Sequence, residues 1–111
     1  MRFMLLLHLL VDTPVEGADA VRMERYNVAL TRAGVLLAGD GLHPVADCVR
    51  LQLAGGRRRM LAGAEAGRRL VGRYWLLQVS STEEAVEWAR RCPLRDGDEL
   101  EVRRIRDPTG N

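Results

Sequence analysis

Two continuous apolar segments constrain this chain more than any other feature. "FMLLLHLLV" occupies residues 3–11, and "LVGRYWLLQV" occupies residues 70–79. Both have the length of a β-strand, and the first ends at "DTP", which is a turn signal. Apolar residues at successive positions are typical of a strand that is covered on both faces. The sequence therefore predicts two central strands of one sheet.

Two further segments have the apolar spacing of amphipathic helices. Over residues 18–33 the apolar side chains recur every three or four positions, and Gly34 follows as a C-cap. Over residues 80–91, Ser81 and Glu84 have the spacing of a capping box. The stripe of the first helix consists of Met23, Tyr26, Leu30 and Ala33. We expect these stripes to pack against the sheet.

The remaining strands are shorter and more polar. They are predicted at residues 35–38, 48–53, 57–61 and 99–105. "AGG" at 54–56 is a turn signal, so the second and third of these strands are expected to form a hairpin. The charged last strand is predicted at an edge or on a solvated face. Residues 62–69 are predicted to be a loop because they are small and polar.

This order of elements predicts an α+β, ferredoxin-like sandwich, with two helices on one face of a mostly antiparallel sheet. Residues 1–106 are predicted to form a single domain, and residues 107–111 a flexible tail. Two helices cover only one face, so the other face of the central strands needs a second cover. We expect a second copy of the chain to supply it, which gives a homodimeric α+β barrel.

Composition limits the classes of protein to which the chain can belong. It has 111 residues and a net charge of +2, and all 17 basic residues are arginine. The basic run at 57–59 has no interleaved aromatic residues, so a nucleic-acid partner is not expected. The apolar segments are too short to span a membrane. Cys48 and Cys92 lack zinc-site spacing, and we expect reduced thiols in a cytoplasmic protein without a bound metal or cofactor.

"AGDGLHP" at residues 38–44 combines turn-forming residues with ionisable side chains. Its glycines and proline predict a turn in which Asp40 bonds its own backbone. Alternatively, Asp40 and His43 line a pocket where the carboxylate orients an imidazole for proton transfer. His8, within the first apolar strand, is either a core histidine bonded to a polar neighbour or a general base. The predicted catalytic residues are His8, Asp40 and His43.

Three other side chains are predicted to bind substrate. Tyr26 lies on a helix stripe and is either a core residue or a group that holds a substrate oxygen. Arg50 and Arg73 lie on predicted strands, where a cation requires a carboxylate partner or an anionic ligand. For Arg73, the alternative to an anionic ligand is an ion pair with Glu99 or Glu101 of the last strand.

Four stretches of the chain, taken in order, resemble the YCII-related family, in the subgroup named for an Asp-Gly-Pro-Phe motif. They are "FMLLLH" at 3–8, "RAGVLLAGDGLHP" at 32–44, "GRYWLLQVSSTEEAVEWA" at 72–89 and "ELEVRRI" at 99–105. The resemblance implies a dimeric α+β barrel with a pocket between sheet and helix. It also implies cofactor-free chemistry, since a few relatives are lyases that eliminate chloride from ring compounds.

The chain departs from this family pattern at two places. Leu61-Ala62-Gly63-Ala64 stands where the subgroup has its name-giving motif. The histidine that other relatives carry on the first helix, as half of a proposed acid–base pair, is absent here. Tyr26 is the nearest polar ring on that helix, and Asp40 is the residue that can stand for the acid of the pair.

Three functions fit these observations. The first is an enzyme without a bound cofactor that performs acid–base chemistry, of the lyase, isomerase or cyclase type, on a small aromatic or anionic compound. The second is a non-catalytic, dimeric ligand-binding or accessory protein. The third is a cofactor-free oxygenase of the dimeric-barrel type. The altered motif at 61–64 favours the accessory protein, whereas two histidines and an aspartate near strand ends favour the enzyme.

Overall fold

Six strands and two helices are present in the part of the chain that the computed structural model describes, residues 1–63 and 70–108. In chain order they are β1 (Arg2–Leu9), α1 (Gly17–Arg32), β2 (Leu36–Gly41), β3 (Val49–Ala54), β4 (Arg57–Ala62), β5 (Leu70–Gln78), α2 (Thr82–Arg90) and β6 (Glu99–Arg104). A short 3-10 helix, Val45–Asp47, follows β2. Residues 64–69 of the predicted loop and 109–111 of the predicted tail lie outside the described residues.

Four strands form one antiparallel sheet in the order β2-β5-β1-β6. This is the strand order of a ferredoxin-like fold, in which the two central strands are the two apolar segments of the sequence. The hairpin of β3 and β4 is a separate two-stranded sheet inserted between β2 and β5. The predicted α+β, ferredoxin-like class and its two central strands are confirmed.

The sheet has two unlike faces, here called the covered face and the open face. Residues of the covered face are buried and pack with residues of both helices; they include Phe3, Leu5, Leu7, Trp75 and Leu77. The open face carries the alternate residues, which are only partly buried; they include Met4, Leu6, His8, Tyr74 and Leu76. Within the described part of a single chain, the central strands are therefore covered on one face, where the sequence predicts cover on both.

Helix α1 packs on the covered face through the predicted stripe. Met23, Tyr26 and Leu30 are its buried residues, whereas Ala33, the fourth predicted member, is the exposed residue that caps the helix. The ring of Tyr26 meets that of Trp75 edge-on, with 5.6 Å between the centroids, which is a favourable aromatic geometry. Gly34 follows the helix at a φ of +72°, so the predicted glycine C-cap is confirmed.

Helix α2 begins at the predicted capping box. The N–H of Glu84 donates to the Oγ of Ser81 at 3.1 Å, and the Glu84 carboxylate accepts from the N–H of Ser80 at 2.8 Å. The acid thus reaches the residue before the N-cap and satisfies a free amide at the start of the helix. Neither of the helices described is long and apolar enough to cross a membrane.

The β3–β4 hairpin is confirmed and stands apart from the core. Gly55 and Gly56 form its turn at φ values of +59° and +76°, which two-residue hairpin turns of the mirror-image type require. Its strands are almost wholly exposed, including the large apolar side chains Val49, Leu51, Leu53 and Met60. The basic run at 57–59 begins the second strand of this exposed hairpin.

The predicted turn over "AGDG" is wrong, because β2 continues through Gly41. Neither Gly39 nor Gly41 has a positive φ. A Cβ on Gly39 would lie 3.1 Å from the Cδ1 of Trp75 and 3.1 Å from the carbonyl oxygen of Tyr74. A Cβ on Gly41 would lie 3.1 Å from the Nη2 of Arg73. These glycines leave space for large neighbours on β5, and glycine often occurs within strands where another group approaches the backbone closely.

Candidate functional site

The structure does not bring the six predicted site residues into one cavity. His8 and Asp40 lie on the open face, whereas Arg73 lies on the covered face opposite Leu7. Tyr26 belongs to the core beneath the covered face. The other two residues lie off the sheet: His43 after β2 and Arg50 in the hairpin. Two separate places thus carry candidate chemistry, one on each face of the sheet.

On the open face, His8 contacts a carboxylate of the neighbouring strand β6. Its Nε2 lies 2.9 Å from the Oε1 of Glu101. The side chains are 22% and 39% exposed, so the pair is reachable from solvent but partly shielded from it. The predicted polar neighbour of His8 is therefore Glu101. Together with Glu99 and Leu100, these two residues line an open cleft of about 440 Å³, here called the His8 cleft.

The contact with Glu101 gives the two ring nitrogens of His8 different roles. When Nε2–H donates to the carboxylate, Nδ1 of the neutral ring keeps its lone pair and can accept a proton. The carboxylate fixes the orientation of the ring and stabilises the imidazolium that forms. Arg103 reaches the other carboxylate oxygen of Glu101, with its Nη1 3.8 Å from Oε2. The arrangement is chemically that of an oriented general base.

Asp40 and His43 do not contact each other within the described structure. Asp40 is exposed on the edge strand β2, in register with Tyr74, and its side chain has no hydrogen bond or ion pair with any described residue. The side chain of His43 is 93% exposed, and its Nδ1 lies 3.8 Å from a carboxylate oxygen of Asp47. The strand β5 separates Asp40 from the strand of His8.

The core interpretation of Tyr26 is confirmed. Its hydroxyl donates to the backbone carbonyl oxygen of Trp88 at 2.8 Å and so joins the two helices. Burial raises the pKa of this phenol well above its usual value, and the nearby Cys92 acts in the same direction. The hydroxyl is therefore a neutral donor inside the core.

Arg73 lines a cavity of about 230 Å³ on the covered face, here called the Arg73 cavity. Its guanidinium carbon lies 5.8 Å from the centroid of the Trp75 ring. The two expected partners, Glu99 and Glu101, are in register with His8 and Leu6 and therefore lie on the open face. Arg50, the other predicted arginine, donates from Nε to the carbonyl oxygen of Gly63 at 2.8 Å and so belongs to the base of the hairpin.

Sequence reasoning missed the places that two carboxylates take in these sites. Glu101 is one of several charged residues on β6, and only the pairing of β6 with β1 singles it out as the partner of His8. Asp12 lines the Arg73 cavity, and its Oδ2 accepts the N–H of Val45 at 2.8 Å. In the sequence, Asp12 belongs to the turn signal after the first apolar segment, and a turn signal predicts a bend but not a cavity.

Both cysteines are free thiols. Burial raises the pKa of the Cys92 thiol to about 12, although the positive charge of Arg73 acts in the opposite direction. A thiol held neutral in this way is a poor nucleophile. Among residues 1–63 and 70–108, no group of three or more His, Cys, Asp or Glu side chains is arranged to hold a metal ion.

Comparison with known proteins shows the family of this chain. Residues 1–109 match the family model of the YCII-related domain, and the chain therefore belongs to the YCII-related family. A search of curated proteins finds no match. Of the four positions 61–64 singled out in the sequence, Leu61, Ala62 and Gly63 end the hairpin, and Ala64 lies outside the described residues.

Proposed function

We propose that this member of the YCII-related family is an enzyme that transfers protons on a small aromatic or anionic compound without a bound cofactor. The observation that carries the proposal is the 2.9 Å contact between His8 Nε2 and Glu101 Oε1 beside an open cleft. A histidine oriented by a carboxylate is a common arrangement for general acid–base catalysis. The chemistry that it supports is of the lyase, isomerase or cyclase type.

The proton transfer begins at the nitrogen of His8 that faces away from Glu101. Nδ1 takes a proton from a carbon next to a carbonyl or from a ring hydroxyl, and the electron pair of the broken bond stays on the substrate. Glu101 then stabilises the imidazolium. The imidazolium returns the proton to another substrate atom, which is an isomerisation, or to a departing group, which is an elimination.

A second copy of the chain is proposed to cover the open face. Met4, Leu6 and Leu76 are apolar and only partly buried there, so a partner sheet would remove them from water. Two sheets packed face to face would also enclose the His8 cleft and strengthen its electrostatic interactions. The proposal keeps Asp40 as a second acid on this face, and it leaves out His43 because that side chain is 93% exposed.

Deuterium exchange tests the proposal on a panel of compounds that carry acidic protons. The protein is incubated in D₂O with small aromatic acids, phenols and cyclic ketones, and NMR follows deuterium uptake and the release of any leaving group. For a compound that reacts, we expect His8→Gln to lower the rate by about 10²–10⁴-fold, the usual contribution of a general base. Glu101→Gln is expected to lower it less, because the imidazole remains.

The matched control is Glu87→Gln, which removes an exposed carboxylate from α2 and should leave the rate unchanged. Exchange that persists in His8→Gln contradicts the proposal. So does binding of compounds at the His8 cleft, seen as a shift of the His8 ring signals, without exchange or elimination. That second outcome would assign the chain to the ligand-binding or accessory proteins.

A further inference from the structure

The Arg73 cavity lies on the other face of the sheet from the His8 cleft and has a chemistry of its own. It is formed where the connection from β1 to α1 meets the end of β2 and the beginning of β5. Its lining is mainly apolar and includes Leu7, Leu9, Pro14, Val15, Leu42 and Pro44. We propose that this cavity binds a small organic carboxylate, with the carboxylate on Arg73 and the apolar body against these residues.

Arg73 has the properties of a ligand-binding cation. It is partly buried on the covered face, and no described residue gives its guanidinium a hydrogen bond or an ion pair. Removing a charge from water is costly unless an opposite charge compensates for it. The guanidinium is planar and offers parallel N–H donors, so it matches a carboxylate with two hydrogen bonds. The contact with the Trp75 ring helps to hold it in place.

The space around the guanidinium depends on Gly41. The Nη2 of Arg73 lies 3.1 Å from the position that a Cβ of Gly41 would occupy. Any larger residue would press on the guanidinium from the side of β2. Gly41, which belongs to strand β2 and not to a turn, thus provides space in this cavity.

Hydrogen bonds hold the other walls of the cavity in place. The Oδ2 of Asp12 accepts the N–H of Val45 at 2.8 Å, which ties the connection after β1 to the 3-10 helix after β2. Arg95 donates from Nη1 to the Oγ1 of Thr13 at 2.8 Å and fixes the same connection from the other side. A cavity that is formed before the ligand arrives loses little affinity to ordering of the protein.

The volume of the cavity limits the size of the ligand. At about 230 Å³ it is smaller than the pockets of 300–1,000 Å³ that hold drug-sized compounds. One aromatic ring or a short branched chain fits this space, with Arg73 at one wall as the cation among the described lining residues. The expected class is therefore a small aromatic or branched aliphatic monocarboxylate.

Calorimetric titration with benzoate tests this inference, with benzamide as the neutral compound of the same shape. We expect benzoate to bind and benzamide to bind at least tenfold more weakly, because only benzoate has a charge for Arg73. Arg73→Gln should weaken benzoate binding by about 10–100-fold, and Arg73→Lys by less. Gly41→Ala should weaken it as well, and circular dichroism verifies that each variant is folded.

The matched control is Arg90→Gln, which removes an exposed arginine from α2 and should leave benzoate affinity unchanged. The benzoate binding that Arg73→Gln removes should persist in His8→Gln, so the failure of this site and the failure of the proposed enzyme are distinguishable. Equal affinity for benzoate and benzamide, unchanged affinity in Arg73→Gln, or no binding of benzoate, phenylacetate or isobutyrate at millimolar concentration would overturn the inference.

Discussion

The two faces of the sheet use neighbouring residues of the same strand for different purposes. Leu5 and Leu7 of β1 face the helices and are buried, and Arg73 beside them borders a small apolar cavity. Leu6 and His8 face the other way, are partly buried, and lie among charged residues of β6. The covered face therefore supplies the stability of the single chain, whereas the open face has apolar area and ionisable groups that do not take part in the core.

The largest expected difference between the faces is between two adjacent leucines. Leu5 is 0% exposed, so Leu5→Ala should cost about 2–5 kcal/mol of unfolding free energy, at any protein concentration. Leu6→Ala should cost less in the single chain. If a second copy covers the open face, its cost should grow with protein concentration, because the dimer is then the stable species. Urea denaturation at two protein concentrations measures both effects, and equal, concentration-independent costs would contradict this difference between the faces.

Two glycines of β2 meet different neighbours on β5: Gly39 meets the core residue Trp75, and Gly41 meets Arg73 at the cavity. Gly39→Ala should cost about 1–3 kcal/mol, because the new methyl group meets the Trp75 ring and the Tyr74 backbone. Gly41→Ala should cost less than about 1 kcal/mol, since its methyl group meets the mobile end of Arg73. Thermal unfolding compares the two variants. A larger cost for Gly41→Ala would show that the guanidinium of Arg73 cannot move aside.

The hydroxyl groups of Tyr26, in the core, and Tyr74, on the open face, are expected to differ in their contribution to stability. Tyr26→Phe removes the hydrogen bond to the Trp88 carbonyl and should cost about 1 kcal/mol. Tyr74→Phe, on the open face, removes a hydroxyl that has no hydrogen-bond partner among the described residues and should change stability by less than about 0.5 kcal/mol. Chemical denaturation of both variants is the measurement. A cost for Tyr74→Phe as large as that for Tyr26→Phe would indicate that a partner binds that hydroxyl.

The smallest effect at neutral pH concerns the thiols. Because burial raises the pKa of Cys92 to about 12, the folded chain keeps a proton that the unfolded chain releases above about pH 9. Stability is therefore nearly unaffected below pH 9 and falls as the pH rises towards 12, by about 1.4 kcal/mol at pH 10. Cys92→Ala should reduce this alkaline loss, measured as unfolding free energy against pH. Cys48→Ala is the control, and an equal reduction there would contradict the assignment to Cys92.

The secondary structure and the fold class could be predicted from the sequence, but which candidate site residues lie together could not. Continuous apolar strands, helix stripes and a capping box are local patterns, and each led to the element observed. The face on which a side chain lies depends on the register of its strand, and a shift of one residue moves every side chain of that strand to the other face. The register of β1 with β5 shifts between Leu7 and His8, so that Val71, opposite His8, and Arg73, opposite Leu7, lie on different faces although they are only two residues apart. No local pattern in either strand encodes that shift.

The glycines after α1 were misinterpreted for a related reason. Glycine indicates a turn when only the local chain is considered, but it also occurs where a neighbour requires space. The neighbours of Gly39 and Gly41 are Trp75 and Arg73, more than 30 residues away along the chain. The Glu101 partner of His8 was missed because it too is supplied by strand pairing at long range.

The molar mass in solution tests the central claim about the open face most directly. Light scattering should give twice the chain mass of 12.4 kDa for the wild type. Leu6→Arg places a charge in the middle of the open face and should give the single mass with the helix content retained. Val21→Arg, at an exposed position of α1, should stay at twice the mass. A single mass for the wild type, or twice the mass for Leu6→Arg, would contradict the claim that a second copy covers this face.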